Sequence, residues 1–495
     1  MRYSSGGKIR PCGAIIVNIN GRYARLVLLA CLALFVLWLG GRDFYSRGEP
    51  REVLVAQSML QSGNWMLGVG YGGAVPSKPP LLHWLMAVFS LPAGELGPLT
   101  ARLPSALAST CFLMFLFIFL KTRLGARPAL YAVFLLMMSA EWFRSSTAAR
   151  VDMLLTALLS AGLLRLYIWE EKGLKGLAPG ATVLFALAML AKGPVGVVLP
   201  GLIFAAYLLW RRVPFGRAAL SCLLVFAPAF CIGAVWYLAA SQTGGEAFSA
   251  RVYYENVARF AGSMKDDPHA HSVFYLVASF LAGFLPWTPV GIFLFWRDRE
   301  LVCSSLARFK SDHQSLWRFC LCVIGLVLAF YAIPPGKRGV YLLPLYPFVC
   351  ILGGILLEGV ASRGRRRLVS VLLSTVFAIE LVLNAAVFPL VANRLSSRRF
   401  ARQIDAMIPP EGRLYSFGNE FYGLSFYLRR TIYELRGIRP RTGDVLFLYT
   451  DNLQELRRNA LDPDQDLLKL AESDYGVEDR KRRLGMYRVV GSSAR

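Results

Sequence analysis

Apolar residues in this chain come in long unbroken runs rather than at every second or every third to fourth position. The runs fall at about 23–40, 101–121, 128–142, 151–170, 177–191, 195–210, 218–240, 273–296, 316–333, 340–361 and 368–391. A bilayer core takes about 20 helical residues, and lipid offers no partner for an exposed peptide group, so these runs predict membrane-spanning helices. They give about eleven crossings, and further short runs near 81–91 and 344–347 raise the range to eleven to thirteen. Beyond 391 the spans stop. Short alternating stretches at 413–417, 431–435, 444–450 and 487–490 predict strands, and 421–428 and 452–459 predict helices. The expected architecture is an all-α polytopic membrane protein with a small C-terminal α/β domain.

The loop charges set an orientation. With the basic tail 1–22 inside, alternation also places Lys121, Arg123, Arg127, Lys172, Lys175, Arg211, Arg212, Arg217, the 297–310 loop and Arg363 to Arg367 inside. These are the basic short loops, as the positive-inside bias requires. Residues 41–100, 143–150, 192–194, 241–272 and 334–339 are left outside, together with the 392–495 domain. The membrane domain is then 23–391.

Composition supports this reading. The hydrophobic share is 55% and the formal net charge is +24. The inner loops account for much of that charge, and no basic patch interleaved with stacking aromatics appears, so nucleic acid is not an expected partner. The nine cysteines show neither disulfide nor zinc spacing.

The outer segments hold an unusual charge set: Asp43, Arg47, Glu49, Arg51, Glu52, Lys78, Asp152, Lys192, Glu255, Arg259, Lys337 and Arg338. Each alone could be a snorkelling or headgroup-facing charge. Together, several cations suit a phosphate-bearing ligand, and a nearby carboxylate can take a proton from an attacking hydroxyl. Asp266, Asp267, His269 and His271 could bind a divalent metal or form a solvated loop. No metal site or cofactor is otherwise expected. Trp287 and Tyr275 read as interfacial anchors.

Glu49-Pro50-Arg51, Ser62-Gly63-Asn64-Trp65, Lys78-Pro79-Pro80, Arg102-Leu103-Pro104, Asp152, Lys192-Gly193-Pro194, Asn256 to Arg259, Pro286-Trp287, and Lys337 with Tyr341 follow one another over roughly 40–350. In that order they resemble the bacterial aminoarabinose–lipid A transferase family, related to protein O-mannosyltransferases, with the GT-C fold. The resemblance implies an inverting glycosyltransferase that moves a sugar from a polyprenyl-phosphate donor to a glycolipid (lipid A-like) or protein acceptor at the periplasmic face. It implies that Lys78, Arg51 and Arg259 bind the lipid phosphate, with Lys192, Lys337 and Arg338 as further phosphate-binding candidates. Asp152 resembles a second acidic residue facing the cavity. Three positions depart from the family pattern. Gly48 stands where the usual catalytic Asp would be, which makes Glu49 the candidate base, then Asp43. Ser77 and Asn256 replace an acid and a histidine, which weakens the case for a zinc site. Two alternatives remain: a lipid or lipid-linked-sugar transporter, and an oligosaccharide ligase with a pyrophosphate-linked donor.

Overall fold

The computed structural model describes residues 21–76, 78–258, 270–410, 412–478 and 482–491. Every predicted apolar run is helical. The helices long and apolar enough to span a membrane are Arg22–Gly41, Pro98–Leu124, Val151–Glu171, Phe215–Ala258, Gln314–Ala332 and Gly339–Met407. The bent pair Val273–Gly283 and Trp287–Arg297 passes the same test jointly, with a 92° break. The remaining runs form shorter apolar helices, Ala126–Met137, Pro179–Lys192 and Val195–Trp210. The 340–361 and 368–391 runs lie inside one helical stretch that turns at Gly364, where φ is +83°. This is a multi-pass membrane protein.

One continuous apolar core joins these helices. Gly354 lets two of them meet closely, because a Cβ there would lie 2.7 Å from the Pro128 carbonyl oxygen. Large apolar side chains such as Leu238, Phe274 and Trp296 remain exposed on the outer helix faces, as a lipid solvent permits. The loops read as inner gather at one end and pair with one another. Arg123 meets Glu171, Arg127 meets Glu358 at 3.1 Å, Arg211 meets Glu170 at 3.1 Å, and Arg363 meets Asp298 at 3.0 Å. The 297–310 stretch, expected as a loop, is mostly the helix Arg299–Asp312. Trp287 is no interfacial anchor: it is buried at the bend, and its indole N–H donates to the Leu135 carbonyl at 2.7 Å.

At the other end, the 41–100 segment folds into the helices Gly48–Ser62 and Leu81–Ser90. The C-terminal region sits against them. Its sheet comprises β1 (Leu414–Ser416), β2 (Tyr433–Glu434), β3 (Val445–Tyr449), β4 (Gln465–Gly476) and β5 (Arg483–Gly491), in the order β2-β1-β3-β5-β4. The β1 pairings are parallel and those of β5 antiparallel. Strand β4 escapes a sequence reading because it is polar, lies at the sheet edge and carries register shifts. Phe44 packs on Phe426 with ring centroids 5.2 Å apart, and its N–H donates to the Tyr427 hydroxyl at 2.8 Å. The Tyr71 hydroxyl donates to Ser416 at 2.8 Å. One apolar core spans this junction.

Glu478 sits in the same junction. Burial raises its carboxyl to about 7, although Arg47, the Gly423 and Leu424 N–H groups and Ser397 all act the other way. Between the ordinary carboxylate range and pH 7, the folded state therefore keeps a proton that the unfolded chain has lost, so stability falls as pH rises and levels off above pH 7. Thermal melts of Glu478→Gln in detergent should lose that slope.

Candidate active site

The helix Gly48–Ser62 presents two glutamates, three residues apart, to different partners. Glu49, in its first turn, is buried and faces Arg102, which is fully buried in the helix Pro98–Leu124. The guanidinium donates from Nε to Glu49 Oε1 at 2.7 Å and from Nη2 to Oε2 at 2.9 Å, and the Ala149 N–H donates to Oε1 at 2.9 Å. The same guanidinium donates from Nη1 to the Leu39 and Arg42 carbonyls at 2.9 and 2.7 Å. Burial would raise the Glu49 carboxyl, but Arg102 overrides it, with help from Arg42 and the Ala149 N–H, and holds it at about 2. This is a structural clamp joining the first outer loop to two helices, and it engages both Glu49 oxygens.

Asp43, the second candidate base, is also committed elsewhere. Its carboxylate accepts from Arg398 at 2.9 Å, across the junction with the C-terminal region. Position 48 is a glycine, and a Cβ there would press on the Arg150 guanidinium.

Glu52 is the carboxylate at the site itself. Its Oε1 accepts from Lys78 and from Arg51 Nη2 at 3.0 Å, and its Oε2 lies 3.2 Å from His83 Nε2. Glu52 and His83 are buried, whereas Lys78 and Arg51 remain partly open. Burial opposes ionisation of Glu52, but Lys78, the His83 hydrogen bond and Arg51 together hold its carboxyl well below the usual range. Sequence reading placed Glu52 in the charge set without a role and passed over His83. Spacing offers no signal here, since three residues set the two glutamates only about 60° apart around a helix.

A second ion pair lies beside the first. Asp152 opens Val151–Glu171 and Lys192 closes Pro179–Lys192, so each charge sits at the helix end whose dipole favours it. Lys192 Nζ donates to Asp152 Oδ1 at 2.6 Å and lies 4.4 Å from the Tyr341 ring centre. The Asp152 carboxylate is also within electrostatic reach of Lys78. A cavity of about 380 Å³ opens between these groups, lined by Lys78, Lys192, Glu255, Asn256, Tyr331 and Tyr341 among others.

The structure thus brings Lys78, Arg51, Lys192 and Asp152 together. Lys337 is in the neighbouring turn, but its ammonium is buried and donates to the Pro334 carbonyl at 2.7 Å; Arg338 follows it, half-buried. Arg259, Asp266, Asp267 and His269 lie outside the described residues. His271 stacks on Tyr275 at 4.2 Å. Among the described residues, no group of three metal-ligating side chains converges.

This helical membrane bundle, with a small mixed sheet at the end that holds the cavity, is a fold of GT-C type, as two solved structures show. The ArnT structure from Cupriavidus metallidurans bound to undecaprenyl phosphate shares this fold with a TM-score of 0.68, at 19% identity over 94% of this chain and 98% of that one. The oligosaccharyltransferase AglB from Archaeoglobus fulgidus is more distant, with a TM-score of 0.51 at 11% identity over 85% of this chain and 65% of that one. In sequence, residues 77–236 match the family profile described as dolichyl-phosphate-mannose-protein mannosyltransferase. The undecaprenyl phosphate-α-4-amino-4-deoxy-L-arabinose arabinosyl transferases of Pseudomonas fluorescens (strain Pf0-1) and Shewanella sediminis are 24% and 26% identical over 69% and 74% of this chain. The matched regions span 58% and 64% of those two relatives. The resemblance to the aminoarabinose transferase and O-mannosyltransferase-like family, read from the motifs, is therefore shown in both sequence and fold.

Removing one partner of a buried ion pair costs about 3–5 kcal/mol because the other charge is left unpaired. Arg102→Ala should therefore lower the melting temperature sharply or abolish folded protein in detergent. Because Glu49 is held down at about 2, the clamp's contribution should persist above the ordinary carboxylate range and disappear only as pH falls towards 2.

Proposed function

We propose that this chain is an inverting glycosyltransferase using a polyprenyl-phosphate sugar, with its active site at the periplasmic face. The observation that carries this reading is the cavity lined by Lys78 and Lys192, each paired with a carboxylate beside it, Glu52 (which Arg51 also meets) and Asp152. The family resemblance, the shared fold and the relatives' dependence on undecaprenyl phosphate in their names support it. The periplasmic orientation, with the tail 1–22 inside and the 392–495 domain outside, rests on the gathering of the basic short loops at the opposite end.

In this mechanism the isoprenoid lies along the apolar outer helix faces while its phosphate enters the cavity and meets Lys78, Arg51 and Lys192. The acceptor is a glycolipid or a protein hydroxyl. Its oxygen attacks the anomeric carbon as a site carboxylate takes its proton. The C1–O bond to phosphate breaks, and the electron pair leaves with the phosphate, where the cations stabilise the growing negative charge. Residues Tyr331 and Tyr341 supply a ring-lined wall suited to a sugar.

The test is transfer from undecaprenyl-phosphate sugars to membrane glycolipid or protein acceptors by the purified chain. Lys78→Ala and Asp152→Asn should each reduce transfer by about a hundredfold or more, with the protein still monodisperse. Full activity in either variant would remove that residue from the site, and absence of transfer by the unaltered chain with every donor would sink the enzyme reading.

A further inference from the structure

Three side chains meet at Glu52, the cations Lys78 and Arg51 at one oxygen and His83 at the other; Glu52 and His83 are buried, while Lys78 and Arg51 stay partly open. Here the two cations are the same ones that face outward to an anionic ligand. Lys78 lines the cavity, and Arg51 is within electrostatic reach of Glu255 on the cavity wall. Glu52 therefore stands where a phosphate oxygen would make the same contacts. Its other oxygen is held by His83, whose Nδ1 is buried with no hydrogen-bond partner among the described residues, so the ring has no competing anchor on that side. The other two acids of the first outer segment are engaged elsewhere, Glu49 with Arg102 and Asp43 with Arg398.

Resting on the function proposed above, we infer that Glu52 is the catalytic base, kept inactive in the empty site by Lys78 and Arg51 and freed when the donor phosphate takes those two cations from it. While the cations hold it, Glu52 is a poor proton acceptor, because its ionised form is strongly stabilised. When a phosphate monoanion or dianion binds Lys78 and Arg51, that stabilisation is divided and Glu52 gains a nearby negative charge. Both changes raise its proton affinity. The carboxylate then takes the acceptor hydroxyl's proton. The acceptor oxygen bonds to C1, the C1–O–phosphate bond breaks, and the departing phosphate carries the electron pair onto Lys78 and Arg51. Glu52 returns its proton to water as the phosphate leaves, and the ion pairs re-form. His83 is a positioning residue that keeps the carboxylate near the cavity once the cations have released it. The base is thus strong only with a donor in place, which protects against idle proton exchange.

The experiment separates binding from transfer, using undecaprenyl phosphate alone as the binding probe and the donor accepted by the unaltered chain for transfer. Glu52→Gln keeps the shape, removes the competing charge, and should bind undecaprenyl phosphate about tenfold more tightly while losing transfer by about a hundredfold or more. Glu52→Asp, which keeps the charge on a shorter arm, should bind like the unaltered chain and recover part of the transfer. Unchanged or weakened binding by Glu52→Gln would overturn the exchange, and so would transfer within about threefold of the unaltered chain. If Glu52→Gln does not fold, equal loss of transfer and binding in Glu52→Asp would overturn it instead. An unaltered chain that binds no undecaprenyl phosphate would remove the proposed function itself, a result distinct from either of these.

Discussion

A charge withdrawn from water must meet an opposite charge or a set of fixed dipoles, and the outer end of this molecule is arranged around that requirement. Glu49 and Arg102 satisfy each other completely, with the remaining guanidinium hydrogens given to main-chain carbonyls. That clamp fixes the first outer helix on the bundle. Everything that helix presents, including Arg51 and Glu52, takes its position from it. The pairs around the cavity differ in one respect: each includes a cation that is still partly open. A closed pair holds structure, and a half-open pair can exchange its partner.

The C-terminal region extends the same logic. Among the described residues it contributes no group to the cavity lining, yet it braces the loop that does. Phe44, Tyr71 and Asp43 anchor the outer segment to the sheet and its helices through an edge-to-face ring contact, a hydroxyl pair and the Arg398 ion pair. Fixed geometry of this kind is what electrostatic stabilisation of a leaving group needs, because donors placed beforehand need no reorganisation during reaction.

Much of this was legible in the sequence. Unbroken apolar runs marked the helices, and the loop charges separated the two ends of the bundle before any coordinate was known. The motif positions Lys78, Arg51, Asp152 and Lys192 do converge. The assignment of a base did not follow from spacing, because the sequence cannot show which of two glutamates three residues apart turns towards Arg102. The decisive partners, Arg102, Arg150 and His83, are brought in by packing from segments far away in the chain. Strand β4 was missed for a related reason: its place is set by pairing with β5, which in turn pairs with β3, and not by a pattern of its own.

The most direct test of the account is an experimental structure of the full chain with undecaprenyl phosphate bound. The account predicts phosphate oxygens within hydrogen-bond distance of Lys78 and Arg51, the Glu52 carboxylate turned away from both while still on His83, and the Glu49–Arg102 clamp unchanged. A phosphate seated elsewhere, with the Glu52–Lys78 contact intact, would contradict it.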